Sequence, residues 1–132
     1  MQSPQPWEEP AGPSRERPTC SEDPLLYELR RYELFGHNKD ALYERFATKT
    51  VALFERHGFR QIGYFQTVIG PGPDLIYLLG WEDLNERQSA WAAFHTDPDW
   101  IATRADSTIE HGLLVANTTS QILKPLAFSQ LQ

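Results

Sequence analysis

The chain has 132 residues and a formal net charge of −6, with lysines and arginines scattered singly apart from Arg30-Arg31. That length suits one ordinary domain, and the lack of a basic stripe argues against nucleic acid or an anionic membrane surface as partner. A single cysteine, Cys20, excludes an internal disulfide framework and any multi-cysteine metal or iron–sulfur site.

Six of the ten prolines fall before residue 25, among five acidic residues and two arginines. Met1, Trp7, Ala11 and Cys20 are the only apolar side chains there, too few to offset the entropy of ordering. The expectation is a disordered proline-rich tail over 1–24 and one folded domain over 25–132. No basic stretch leading into an apolar one opens the chain, and no apolar run approaches the roughly 20 residues of a membrane span. A cytoplasmic protein is expected.

Leu25–Leu34 alternates as a strand, with Tyr27 and Leu29 on one face and Glu28, Arg30 and Tyr32 on the other. Gly36 ends it, and Asn38 is the expected N-cap of a helix carrying Leu42, Phe46, Thr50, Leu53, Phe54 and His57 at helical spacing. Gly58 stops that helix, and Phe59–Ile69 reads as a second strand, rich in β-branched and aromatic residues. Gly70-Pro71-Gly72-Pro73-Asp74 is a turn, leading into a third strand over Leu75–Glu82. Asp83 with Glu86 makes a capping box for a helix on which Leu84, Trp91 and Phe94 share a face. Asp97-Pro98 restarts a helix through Trp100, Ile101, Arg104 and Ala105, and Gly112–Leu123 supplies the last strand. The order β-α-β-β-α-β predicts an α+β, ferredoxin-like fold, with a four-stranded antiparallel sheet and both helical segments on one face.

Two helices cover only one face of such a sheet, so the other face of a monomer should be polar. Strand three is instead apolar on both faces, with Leu75, Tyr77, Leu79 and Trp81 on one and Ile76 and Leu78 on the other. Strand one adds Tyr32 and Leu34 beside Glu28 and Arg30. A patch of that kind marks an interaction surface, and two sheets packed face to face around a cavity would cover it. A homodimer is expected.

Tyr27-Glu28-Leu29-Arg30-Arg31-Tyr32 resembles the YELRxY opening of the NIPSNAP family, within the dimeric α+β barrel superfamily. The similarity continues through His57-Gly58-Phe59, Gly63-Tyr64-Phe65, Trp81-Glu82-Asp83-Leu84-Asn85-Glu86-Arg87 and Asp97-Pro98-Asp99-Trp100 to Ile122-Leu123-Lys124-Pro125. It implies the ferredoxin-like unit dimerised into a barrel. Related barrels bind small aromatic or polyketide-like molecules, and include cofactor-free monooxygenases, cyclases and isomerases besides some haem binders.

If the Glu28, Arg30 and Tyr32 row lines the barrel, a carboxylate, a guanidinium and a phenol share one pocket. Arg30 would then hold an enolate oxygen, Glu28 move a proton and Tyr32 donate a hydrogen bond; the competing reading is a structural Glu–Arg pair. Tyr77, Leu79 and Trp81 would wall a site for a planar ligand, with Phe65 joining if strand two faces that way; core packing explains the same aromatics. His95, beside the Asp97–Trp100 turn, is either a general base at the barrel mouth or a surface histidine, and Trp100 is either a mouth residue or packing behind the cap. His37, His57, His95 and His111 show no metal-ligand spacing, so neither metal nor cofactor is expected. The reading is a dimer binding a small, partly apolar molecule, as a cofactor-independent isomerase, cyclase, dehydratase or monooxygenase of a specialised-metabolite pathway. The alternative is a non-catalytic binding or scaffold protein.

Overall fold

Alternation in the first strand is realised as β1, Leu26–Leu34, in a computed structural model that describes residues 24–132. The tail expected over 1–24 lies, apart from Pro24, outside the described residues. A 3-10 turn at Gly36–Asn38 leads into α1, Lys39–Arg45; a π-helical segment, Phe46–Thr50, joins this to α2, Val51–Arg56. Gly58, at φ 78°, takes the left-handed conformation that closes this helical stretch. Then follow β2, Arg60–Phe65, β3, Asp74–Trp81, α3, Leu84–Thr96, α4, Pro98–His111, and β4, Val115–Leu123. The strands stand in the order β2-β3-β1-β4, every neighbouring pair antiparallel, which is the expected ferredoxin-like α+β fold.

Local chemistry accounts for most boundaries. Asp83 Oδ1 accepts the Glu86 N–H at 2.7 Å, while the Glu86 carboxylate reaches back to the Glu82 N–H at 3.0 Å, one residue earlier than a regular capping box. Asp97 caps α4 by accepting from the Asp99 N–H at 2.8 Å, with Pro98 at the first helical position. β2 stops four residues short of the expected Ile69 because Thr67 leaves the ladder. Its N–H and hydroxyl both go to the Asp74 carboxylate, at 2.8 and 2.5 Å.

Three local expectations need correcting. Asn38 makes no side-chain cap; it is buried, and its amide donates to the carbonyls of His111 (3.1 Å) and Leu113 (3.0 Å). Those bonds and Gly112, at φ 74°, hold the chain off the sheet until Val115, three residues later than alternation suggests. Leu84 is 56% exposed and does not share the buried face of Trp91 and Phe94, because it begins the first turn of α3, ahead of the sheet-facing part of that helix.

The larger correction concerns the sheet's two faces. Glu28, Arg30 and Tyr32 do not sit on the open face; they lie beneath the helices, beside their cross-strand partners Leu79, Tyr77 and Leu75. That side gathers the bulk of the aromatic packing. Phe54 stacks on Phe59 at 4.4 Å and also meets Phe46, Tyr77, Trp91 and Phe94, while Phe59 packs edge-on to Trp81 at 5.0 Å. Tyr77, Leu79 and Trp81 are wholly buried, which their alternates Ile76 and Leu78 are not. Burying the larger rings gives the larger hydrophobic gain, so the aromatic face of β3 turns to the helices. Leu29, Ile76, Leu78 and Phe65 are left on the opposite, uncovered face. No helix among the described residues is long and apolar enough to cross a membrane.

Candidate active site

Between the sheet and the helices lies a cavity of about 290 Å³. Arg30 and Tyr32 form its floor from β1, Trp91 and His95 enter from α3, and Trp100 and Arg104 enter from α4. Arg45, Phe46 and Thr50 close it from the first helical stretch. The size is at the lower end for small-molecule sites, which begin near ~300 Å³.

Glu28 anchors the floor from behind. Its carboxylate is fully buried and accepts from the indole N–H groups of Trp81 (3.0 Å) and Trp91 (2.9 Å), the Ser120 hydroxyl (2.9 Å), two nitrogens of Arg87 (3.0 Å each) and Arg30 Nη1 (3.3 Å). Burial alone would raise its pKa. The hydrogen bonds from Arg87, Trp91 and Ser120 outweigh burial and bring it down from 4.5 to about 2. With every oxygen lone pair engaged, Glu28 is an anionic post that fixes Arg30, and it does not line the cavity.

Arg30 is held on its other side by two phenols. Its Nε donates to the Tyr77 hydroxyl at 2.8 Å and its Nη2 to the Tyr32 hydroxyl at 3.3 Å, while its guanidinium lies 4.5 Å from the centre of the Trp91 ring. The two hydroxyls are 2.7 Å apart. Tyr77 is wholly buried and already accepts from Arg30, so its own proton has Tyr32 as its acceptor. With Tyr77 as donor, Tyr32 accepts from it and from Arg30, which leaves the Tyr32 O–H available to the cavity that it lines. Burial pushes the Tyr77 phenol well above its ordinary pKa of 10, which keeps that proton in place.

His95 stacks on Trp91 with ring centres 5.4 Å apart. Partial burial lowers its pKa from 6.5, and the positive charges of Arg30 and Arg104 lower it further, so the imidazole is neutral at pH 7.

Of the residues singled out by sequence, Arg30, Tyr32, His95 and Trp100 meet at this cavity. Glu28, Tyr77 and Trp81 stand one layer behind it, joined by the bonds above, and Leu79 is core. Phe65 is elsewhere: 59% exposed, on the uncovered face. A register shift between Gln61 and Gly63 breaks the alternation of β2, turning Gln61 and Tyr64 inward and Phe65 outward. Arg45, Thr50 and Arg104 are cavity residues that sequence reasoning missed. Trp100, Arg104 and Thr108 recur every four residues on one face of α4, and that spacing was the available signal for Arg104. Among the described residues, no cluster of three or more His, Cys, Asp or Glu is placed to hold a metal ion.

Comparison with known proteins agrees with this architecture. Nothing among curated proteins matches the chain. A NIPSNAP family protein of unknown function from Agrobacterium tumefaciens is similar at 23% identity and TM-score 0.75, over 85% of this chain and 97% of that one. An uncharacterised NIPSNAP-like domain protein from Burkholderia xenovorans is similar at 28% identity and TM-score 0.71, over 80% of this chain and 88% of its own. A candidate antibiotic biosynthesis monooxygenase from Nitrosomonas europaea shares the fold alone, at 12% identity and TM-score 0.54, over 76% and 98% of the two chains. The NIPSNAP family match spans residues 27–130, essentially the whole described domain, and the chain belongs to that family.

Proposed function

We propose that this chain is a cofactor-independent enzyme acting on a small carbonyl compound by proton transfer, as a homodimeric tailoring enzyme of a specialised biosynthetic pathway. The observation that carries this reading is the Tyr32 hydroxyl beside the Arg30 guanidinium, both held from behind by Glu28 and Tyr77 and opening on a cavity that His95 also lines. Such donors, fixed before the substrate arrives, stabilise negative charge on oxygen without further reorganisation. The step is an enolisation. The imidazole of His95 removes a proton from the carbon next to the carbonyl, and the C–H electron pair forms a C=C bond as the C=O pair moves to oxygen. Arg30 and Tyr32 hold that oxyanion, and return of the proton from His95 to another carbon of the conjugated system gives the isomer. Glu28, the proton carrier of the sequence expectation, positions Arg30 in this step and moves no proton.

Hydrogen–deuterium exchange in D₂O tests this, with a panel of aryl ketones and 1,3-dicarbonyl compounds followed by NMR. The protein should accelerate exchange at the carbon next to the carbonyl of at least one member. Tyr32→Phe should lower that rate by roughly 10²-fold, the usual loss for one oxyanion donor. His95→Gln should lower it by roughly 10²–10⁴-fold. Binding without exchange across the panel would instead favour a non-catalytic binding protein, and wild-type rates in both variants would refute the roles of Tyr32 and His95.

A further inference from the structure

We infer that the substrate of this cavity is a carboxylate carried on a flat, unsaturated body, with its anionic group between Arg45 and Arg104 and its reacting oxygen against Arg30 and Tyr32. The inference rests on the reading of the cavity as a ligand site and adds the class of ligand.

Three arginines line the cavity, and no aspartate or glutamate does, in a chain whose net charge is −6. Arg30 is neutralised from behind by Glu28. Arg45 and Arg104 have no such partner: among the described residues neither makes an ion pair, and the side-chain hydrogen bond of Arg45 is to the Ser107 hydroxyl at 3.1 Å. Two guanidiniums sharing a half-enclosed space repel one another, and burial together with Arg104 lowers the pKa of Arg45. An anion between them removes both penalties.

Unused donors mark the same place. Arg45 Nε and the Thr50 hydroxyl are buried with no hydrogen-bond partner, and Thr50 is only 1% exposed. Thr48, two residues away on the solvent side, bonds back to the Glu44 carbonyl at 2.8 Å as helical threonines commonly do. Thr50 ends the π-helical segment and has no such bond, and its side chain lines the cavity. Buried polar groups without partners are rare enough to need a reason, and an acceptor brought by a ligand supplies one. π-helical breaks in α-helices are frequent at functional sites. A carboxylate has two acceptor oxygens suited to the planar fork of an arginine. The walls between the charged ends are Phe46, Trp91, Phe94, Trp100 and Leu114, which suit a flat apolar body.

The test uses the whole chain and four probes: 2-naphthoate, the neutral 2-naphthamide, benzoate and phenyl phosphate. Binding is followed by calorimetry and by quenching of tryptophan fluorescence. Naphthoate should bind saturably, at least tenfold tighter than naphthamide. Arg104→Gln, at an exposed position that folding tolerates, should weaken naphthoate at least tenfold and leave naphthamide within twofold; Arg45→Gln should do the same. Equal affinity for naphthoate and naphthamide, or no effect of Arg104→Gln, would overturn the anionic subsite, and phenyl phosphate binding tighter than benzoate would overturn the carboxylate assignment. The readout needs no turnover. A protein that binds naphthoate but exchanges no substrate proton supports this inference and removes the enzymatic reading.

Discussion

Glu28 shows how one buried charge organises the site. Six hydrogen bonds converge on it from residues 2 to 92 positions away, and they bring two tryptophans, two arginines and a serine into one cluster. Glu28→Gln would keep one acceptor oxygen but aim an NH₂ group at donors, and would leave Arg87 and Arg30 without their counter-charge. A loss of about 3–5 kcal/mol in urea unfolding at pH 7 is expected, the usual cost of breaking a buried pair. The sign of the pH dependence follows from the depressed pKa. The contribution is complete above the unfolded value of 4.5 and is lost as pH falls toward about 2, to the extent of roughly 3 kcal/mol. A Glu28→Gln protein that matches the wild type at pH 7, or a wild-type advantage that fails to shrink on acidification, would show that the carboxylate is not the anchor. His95 gives the complementary prediction. Arg30 and Arg104 help to depress its pKa, so Arg104→Gln should raise it toward 6.5. NMR titration of the His95 ring reads this directly, and a pKa that stays put would remove Arg104 as a cause.

At the scale of elements, the helix ends and the crossing contacts differ in cost. Asp83 caps α3 at an exposed position, and Asp83→Ala should cost about 1 kcal/mol. Asn38 is buried and holds the carbonyls of His111 and Leu113, where α4 gives way to β4. Asn38→Ala leaves buried acceptors unmet and should cost more, about 2–3 kcal/mol, in the same urea series. The reverse ranking would reduce Asn38 to a cap. The contrast also explains what could be read before the structure. The caps of Asp83 and Asp97 and the turn at Gly58 act within a few residues, so they are written in local spacing, whereas the bonds of Asp97 to Arg56 (3.0 Å) and His57 (2.7 Å) are not. Asn38 looks identical to a cap locally, and its true partners lie 73 and 75 residues on. The alternation of β1 and β3 was plain, yet which face meets the helices was not, because β3 is apolar on both. The bulge at Gln61–Gly63 shifts Phe65 to the other face without any marker stronger than Gly63. For the site, Arg30, Tyr32, His95 and Trp100 were legible as types that carry or receive charge and stack. Thr50 was hidden inside a helical stripe with Phe46 and Phe54, since nothing in its spacing announces that the helix widens to π there.

For the whole molecule, the uncovered face bears on a second copy, and the helix-side cavity on where a ligand would sit. Ile62 and Phe65, 43% and 59% exposed, adjoin half-buried Leu29, Ile76 and Leu78 on that face, while its β4 side is polar through Asn117, Thr119 and Gln121. An apolar strip on one half and a polar strip on the other suit an isologous contact, in which a two-fold axis lays the strip on its own copy. Light scattering after size exclusion should give a dimer at micromolar concentration, and Leu78→Lys or Ile62→Lys should give a folded monomer. Sequence alone suggested a cavity enclosed between two sheets. The cavity observed lies inside one chain, on the opposite side of the sheet from Leu78 and Ile62. Monomeric Leu78→Lys should therefore bind 2-naphthoate within about threefold of the wild type, because the residues that line the cavity all belong to one chain. If affinity collapses together with the dimer, the ligand site is shared between copies and the cavity beneath the helices is not where ligand binds. Retained binding in a monomer would separate the two functions of the sheet, one face for assembly and the other for chemistry.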